Sequence, residues 1–376
     1  MEHNILLPGD DQGHNAILEY KFPNGIKINA IGVPQSWDTP LGPTWSYIIE
    51  HDELTIIDPG CYGTITSLKD GLEYIGYSLE SVGSVILTHG HMDHDGNTKE
   101  LLAKSGADLY AHEVYGILKN VDRWQIEHDW RGSHSNFPDM EDPDVINRVA
   151  VNEKETKDLK VTNPVSDGST LGNFDFFYTP GHSPDELCIK LDNVLFSGDH
   201  ILPKITPHPS MSLSYEPFKH VLPKAYQNSN EYYGLLTYMK SLKKASYIDS
   251  VDVVLAAHRT FRYGEFNLID LTRIPEIIDH HKERCMEILN LINLGIRDLT
   301  ELTHKTFTNR VLEGKEIQNN RNLKEDDEVD FKDLFTDVFE FDINEQDTVR
   351  LSASTLNQLF KDENYNLKDI RKNKLV

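Results

Sequence analysis

A short segment of the chain concentrates side chains that bind metal ions. Three histidines and an aspartate, His89, His91, Asp93 and His94, lie within six residues, directly after the apolar run 85–87. Imidazole nitrogen and carboxylate oxygen without thiolate suit zinc, and also iron or manganese. Six residues cannot wrap all four groups around one tetrahedral ion. The spacing therefore predicts a pair of ions whose remaining ligands come from elsewhere in the chain.

Three further candidate ligands each follow a run of residues that reads as a strand. They are His182, Asp199 and His258, and the runs before them are rich in aromatic and β-branched residues. A glycine directly before His182 makes the turn that presents this imidazole. Since four apolar runs each end in a potential ligand, we expect them to converge at one edge of a sheet, as α/β sites require.

These positions resemble the metal site of the metallo-β-lactamase-fold hydrolase superfamily, whose His-x-His-x-Asp-His motif stands at residues 89–94. The resemblance implies an α/β fold, a four-layer αββα sandwich, with two divalent metal ions, zinc in the first place and otherwise iron or manganese. The implied ligands are His89, His91 and His182 for the first metal, Asp93, His94 and His258 for the second, and Asp199 as a bridge.

The same resemblance implies roles in orientation and catalysis. Asp58 closes a strand where the superfamily carries an acid that orients the histidine loop, although it could also be a simple turn carboxylate before Pro59-Gly60. Asp93 has a second oxygen to spare, so it could orient the hydroxide generated by the two ions and shuttle its proton. We therefore expect direct hydrolysis without a covalent enzyme intermediate.

Composition is typical of a cytoplasmic enzyme, and the resemblance implies a small-molecule substrate. The chain has 376 residues, room for one large and one smaller domain, and no apolar run long enough to cross a bilayer. Its first ten residues lack the features of a secretory signal, and its three cysteines are far apart and expected to be reduced. The formal charge of −24 argues against nucleic acid as a partner.

The catalytic domain is expected to span residues 1–264. Two irregular insertions, near 121–160 and 203–230, follow elements close to the metal residues and either wall the substrate pocket or form remote surface loops. His208 and Tyr215 in the second insertion are candidate substrate-binding residues.

Arg259 follows the last candidate ligand and is a third candidate for substrate binding. Its guanidinium could bind a carboxylate or phosphate of the substrate, or it could pair with a local acid.

Residues 265–376 change character, with apolar stripes at helical spacing and an acidic segment between them. This region resembles the small helical, winged-helix-like domain appended to some members of the superfamily. Its acidity favours dimerisation or capping of the pocket over DNA binding, so a homodimer is possible.

The turn at His182 departs from the superfamily pattern. Many of its hydrolases continue with a second Gly-His pair, whereas this chain has Ser183-Pro184-Asp185-Glu186. Asp185 and Glu186 would add negative charge near the site if they point inward, and would otherwise face solvent.

The resemblance implies hydrolysis of a small ester, thioester or lactone, similar to the reaction of hydroxyacylglutathione hydrolases. A phosphodiesterase or endoribonuclease could use the same dinuclear site. An iron-dependent redox enzyme and a ligand-sensing protein are further alternatives that the sequence leaves open.

Overall fold

Alternating apolar positions build two β-sheets that face each other. The computed structural model describes residues 1–37, 39, 41–50, 52–121, 143–157, 159–210, 219–227, 234–296, 305, 339–342 and 348–351. The first sheet contains, in spatial order, β1 (Glu2–Leu7), β2 (Ile17–Lys21), β3 (Lys27–Val33), β4 (Thr44–Glu50), β5 (Leu54–Ile57), β6 (Val82–Ile86), β7 (Asp108–His112) and β8 (Asn163–Val165). The second contains β13 (Val253–Leu255), β12 (Val194–Phe196), β11 (Leu187–Leu191), β10 (Phe174–Tyr178) and β9 (Thr170–Leu171).

Helices cover the outer faces of both sheets. They are α1 (Ile65–Tyr74), α2 (Met92–Asp95), α3 (Thr98–Ser105), α4 (Tyr115–Lys119), α5 (Pro143–Thr156), α6 (Gly234–Ala245) and α7 (Arg273–Asn293). There are also two small hairpins, β14 (Phe261–Arg262) with β15 (Glu265–Phe266) and β16 (Phe339–Asp342) with β17 (Thr348–Leu351). Short 3-10 turns lie at Leu79–Ser81, Lys219–Val221 and Lys224–Tyr226. No helix in the described ranges has the length and apolar character to cross a membrane.

The period-two alternation of the strands divides the core into layers. In β12, Val194 and Phe196 pack between the two sheets, whereas Leu195 packs outward against α6 and α7. In β6, Ile86 packs between the sheets and Val85 packs outward with residues of α1 and α3. The order helix, sheet, sheet, helix confirms the predicted four-layer αββα sandwich.

The candidate ligands gather at an edge that both sheets share. β5 runs parallel to β6 and β12 runs parallel to β13, so within each pair the carboxyl ends lie together. Backbone hydrogen bonds join the two edges, from Leu187 N to Thr88 O (2.8 Å) and from Trp45 N to Ala257 O (2.8 Å). The expectation of one edge of one sheet is therefore wrong, because His89 follows a strand of the first sheet while the later ligands follow strands of the second.

The insertion near 121–160 is more regular than its sequence indicated. Its residues 143–156 form α5, which packs beside α2 and α3 and buries Asn152 and Thr156. Tertiary packing stabilises a helix that the weak local periodicity did not reveal. Residues 122–142 and 158 of this insertion, and residues 211–218 and 228–230 of the insertion near 203–230, lie outside the described residues.

The predicted boundary after residue 264 and the winged-helix-like domain at 265–376 stay predictions. Most of that segment lies outside the described residues. Its first part forms α7, whose apolar face packs on α6.

Candidate metal centre

The histidine loop leaves β6 and turns at once into the single helical turn α2. Because α2 starts at Met92, Asp93 and His94 lie on the same short helix. The helix ends in a tight contact, since a Cβ atom at Gly96 would lie 2.0 Å from the backbone nitrogen of Tyr62. The backbone N–H of Gly60 also donates to His94 O at 3.1 Å. The loop is thus fixed against the segment that follows β5.

Three imidazoles form the first group of potential ligands. His89 Nε2 lies 2.9 Å from His91 Nδ1, and His182 Nε2 lies 3.0 Å from the same atom. Two nitrogens on one tetrahedral zinc ion are separated by about 3.3 Å when the zinc–nitrogen distance is about 2.05 Å. The spacing of the three rings is close to what a shared ion requires.

A second group combines two imidazoles and a carboxylate. Asp93 Oδ2 lies 3.2 Å from His258 Nε2 and 3.7 Å from His94 Nε2. The ligand atoms of these three residues all lie within 4.8 Å of one another. They come from two segments that are distant in the sequence, since His258 follows β13 and the other two lie on α2.

Asp199 lies between the two groups. Its Oδ2 is 3.4 Å from His182 Nε2 in the first group and 3.6 Å from His94 Nε2 in the second. Its Oδ1 is 3.3 Å from His258 Nε2. One carboxylate therefore reaches both groups, which is the arrangement expected of a bridging ligand.

The outer ring nitrogens are held by acceptors, which fixes the lone pairs toward the centre of the cluster. His258 Nδ1 donates to Pro43 O at 2.9 Å, and His182 Nδ1 donates to His208 O at 2.6 Å. A carbonyl oxygen can only accept, so each Nδ1 carries the hydrogen and a neutral ring has a bare Nε2. Such outer contacts are typical of metal-binding histidines.

Several buried atoms at the centre make no hydrogen bond of their own. They are His94 Nε2, His258 Nε2 and Asp199 Oδ1. Buried polar atoms are normally paired, because an unpaired one loses its solvation. A divalent cation would satisfy all three, and the donor set of imidazole and carboxylate fits zinc, iron or manganese. None of the ligand groups found in the described part of the chain includes a cysteine.

Burial and neighbouring charges shift the pKa values of these rings in opposite directions. Burial lowers the pKa of His89 well below its ordinary value, and the rings of His94 and His91 add to the effect. Burial opposes protonation of His94 as well, but the carboxylates of Asp93 and Asp199 outweigh it and raise the pKa of that ring. The carboxylates of Asp93 and Asp199 therefore favour a positive charge beside His94.

Asp58 lies directly behind the histidine loop. Its Oδ2 accepts from His94 Nδ1 at 2.9 Å and from Thr88 Oγ1 at 2.6 Å, while its Oδ1 accepts from Thr88 N at 2.8 Å. The carboxylate therefore fixes both the loop backbone and one candidate ligand ring.

The three candidate substrate-binding residues differ in what the structure shows of them. Tyr215 lies outside the described residues. His208 is exposed and contributes its backbone carbonyl to His182, not its ring. Arg259 is half-buried directly after His258 with a φ angle of 63°, and its role in substrate binding stays a prediction.

Both acids of the turn that follows His182 point inward. Asp185 and Glu186 are buried, which decides between the two alternatives that the sequence left open. Sequence reasoning missed Thr88 and Gln35, although Gln35 Nε2 lies 3.4 Å from Asp93 Oδ2 and 3.0 Å from Thr44 Oγ1. Neither residue was picked out by a motif, so only the folded structure shows their contacts.

Comparison with known proteins agrees with this geometry. Residues 39–254 match the model of the metallo-beta-lactamase superfamily. The chain is 28% identical over 159 residues to a hydroxyacylglutathione hydrolase of Salmonella arizonae. The aligned region covers 41% of this chain and 45% of that protein. It is 25% identical over 160 residues to a probable metallo-hydrolase of Bacillus subtilis, covering 42% of this chain and 60% of the relative. The chain thus spans about half the length of the curated relatives it matches.

A solved structure shares the fold. A metallo-beta-lactamase family protein from Thermus thermophilus superposes with a TM-score of 0.57 at 20% identity, over 74% of this chain and 87% of that one. Because the family match extends over more than half of the sequence and includes the histidine loop, the chain belongs to the metallo-beta-lactamase superfamily.

Proposed function

We propose that this protein is a metal-dependent hydrolase that uses a dinuclear centre to cleave a small ester, thioester or lactone. The observation that carries the proposal is the position of Asp199, whose two oxygens reach ligand atoms of both groups at 3.3–3.6 Å. A single ion would not need two complete ligand sets joined by one carboxylate. Zinc is the ion we expect first, as the family resemblance implies, and the mixed nitrogen and oxygen donors also suit iron or manganese.

The residues around the centre would have different roles in hydrolysis. Two divalent ions held there would lower the pKa of water and polarise the carbonyl under attack. Asp93 is the candidate proton acceptor, since its Oδ2 is placed by His258 and Gln35 and its Oδ1 could take the proton of the attacking water. The buried rings and the sheets behind them exclude bulk water from one side of the reacting atoms.

The substrate class rests on similarity. Two of the curated relatives are hydroxyacylglutathione hydrolases, which supports an acyl substrate over a phosphoryl one. The chain covers only part of each relative, so the similarity does not indicate which acyl group this protein cleaves.

Metal content and a mixed substrate panel test the proposal. Metal-replete protein should contain close to two ions per chain by elemental analysis and should turn over thioesters or lactones. The same preparation is assayed on bis-p-nitrophenyl phosphate and single-stranded RNA. Turnover of the phosphate compounds alone would move the protein to the phosphodiesterase class, and a metal content near one ion would contradict the dinuclear centre.

Replacing a ligand ring tests the residues themselves. His91→Ala removes the nitrogen shared by the two contacts of the first group, so we expect loss of bound metal and of nearly all activity. His3→Ala is the control, because His3 is exposed on β1, at the far edge of the first sheet. Full activity and full metal content in His91→Ala would refute the assignment.

A further inference from the structure

Glu186 is a buried acid that the proposed reaction does not use. It lies directly before β11 and is 0% exposed. Its Oε1 accepts from the backbone nitrogen of Asp199 at 3.1 Å, and its Oε2 lies 3.4 Å from His89 Nδ1. The same carboxylate therefore contacts two candidate metal ligands from behind, one through the ring and one through the backbone.

Both groups that face Glu186 are hydrogen-bond donors. The Asp199 group is a backbone N–H. His89 Nε2 lies among the first ligand group, so a metal-binding ring must carry its hydrogen on Nδ1. Thr88 Oγ1 is 3.1 Å from this nitrogen, but it donates its own hydrogen to Asp58 and can only accept from His89. The carboxylate presents one oxygen to each of these groups: Oε1 accepts from the Asp199 N–H, and Oε2, which makes no hydrogen bond, lies 3.4 Å from His89 Nδ1. An amide at this position would turn its N–H₂ group toward one of the two N–H groups.

The backbone makes room for this contact. Gly198 has a φ angle of +52°, and a Cβ atom there would lie 2.7 Å from Glu186 Oε1 and 2.7 Å from Thr88 Oγ1. A side chain at position 198 would push the acid away from the segment that carries Asp199. The glycine before the ligand thus permits the close approach of Glu186.

The charge of Glu186 is unfavourable without a cation nearby. Glu186 is fully buried and its Oε2 makes no hydrogen bond, so a charged carboxylate here lacks the partners that water would supply. Packing alone would favour a neutral side chain at this position. Divalent ions on the far side of His89 and Asp199 would supply the missing positive charge.

We propose that Glu186 is a positioning residue for the metal centre, which orients His89 and Asp199 as Asp58 orients His94. This inference rests on the proposed function, because it requires that His89 and Asp199 bind metal. Glu186 is in none of the groups of potential metal ligands among the described residues, and it would act through His89 and Asp199.

Glu186→Gln tests the inference, because it keeps the shape of the side chain and matches its protonated form. One of the two N–H groups must then face the amide N–H₂. Contacts behind metal ligands change metal affinity by about 10–100-fold. We expect a loss of this size for zinc, measured by competition with a chelating dye. We also expect metal-stripped Glu186→Gln to unfold at or above the temperature of metal-stripped wild type, which a purely structural role would not produce.

Two further variants make the result specific. Glu186→Asp keeps the charge but is one methylene shorter, so both contacts lengthen and affinity should again fall. Asp185→Asn is the matched control, since Asp185 is a buried acid at the adjacent position whose Oδ1 accepts from Ser183 Oγ, and its metal affinity should stay at the wild-type value.

The possible outcomes distinguish failure of this inference from failure of the proposed function. Wild-type protein that bound no divalent ion would overturn both. Wild-type protein that binds metal, with equal affinity in Glu186→Gln, would overturn the inference alone. An equal loss in Asp185→Asn would also overturn it, because removal of any nearby charge would then explain the effect.

Discussion

At the scale of single residues, acids outside the candidate ligand groups contact the candidate metal ligands from behind. Asp58 accepts three hydrogen bonds and adopts a φ angle of 53°, an uncommon conformation for a residue other than glycine. It keeps this conformation because the hydrogen bonds to Thr88 and His94 hold its side chain. The strain and the contacts together indicate that the position serves the histidine loop.

Asp58→Asn tests this role. An amide at position 58 keeps one acceptor oxygen but turns an N–H₂ group either toward Thr88 Oγ1 and His94 Nδ1, which share Oδ2, or toward the backbone N–H of Thr88, and all three of these groups donate. We expect about 10–100-fold weaker metal binding or activity. Asp10→Asn is the control, because Asp10 accepts from two backbone N–H groups and from a histidine ring in the same way, but in a surface turn. Equal effects of the two substitutions would contradict a specific role of Asp58.

The sequence indicated the residues that belong to a motif, but it did not indicate the residues that hold those motif side chains in place. The seven candidate ligands could be named from spacing and resemblance, and the structure brings all seven together. The ionisable type of Glu186 was visible, but its direction was not, because a turn residue can face either way. Thr88 and Gln35 act only through contacts made by folding, so no local signal marks them.

At the scale of elements, the short helix α2 depends on α4 for its position. One turn of helix has little stability of its own. Asp95, the last residue of α2, accepts from Tyr115 Oη at 2.8 Å and pairs with Lys119 Nζ at 2.5 Å. The Asp95 side chain is 0% exposed and that of Lys119 8%. This buried pair ties the helix that carries two candidate ligands to its neighbour.

Lys119→Met removes the charge and keeps an apolar stem over the ring of Tyr115. Breaking a buried ion pair leaves an uncompensated acid, so we expect a loss of about 3–5 kcal/mol in the free energy of unfolding, measured with urea. Lys99→Met is the control, since its pair with Glu155 has the same chemistry but is solvent-exposed, and it should change stability little. Equal effects in the two variants would mean that burial of the Asp95 pair contributes nothing.

The strands were predictable as elements but not as sheets. Runs such as 174–178 and 194–196 were recognisable from their residue types, and they are strands. Which strands pair is decided by contacts between distant parts of the chain, as in the parallel pair of β12 and β13. The local pattern therefore could not show that two sheets, not one, form the edge that carries the ligands.

At the scale of the whole molecule, the second sheet needs a helix that lies beyond the predicted domain boundary. Ile274, Ile277 and Ile288 of α7 are buried in one cluster with Leu235 and Leu242 of α6. This cluster covers the outer face of the sheet whose strand ends lead to His182, Asp199 and His258. Stability of the candidate metal centre is thus coupled to a segment that contributes no ligand to it.

Two truncated chains test how far the folded unit extends. Each fully buried aliphatic side chain contributes about 1.5–3 kcal/mol, and whole domains are stable by only about 5–15 kcal/mol. A chain ending after residue 264 loses three buried isoleucines of α7, and we expect it to unfold at a much lower temperature and to bind less metal. A chain ending after residue 296 retains α7 and should keep both properties, while light scattering shows whether its mass per particle differs from that of the full chain. Two chains per particle for the full protein and one for the chain ending after residue 296 would assign dimerisation to residues 297–376. Equal stability of the shorter chain and the full one would show that α7 is not part of the folded unit around the centre.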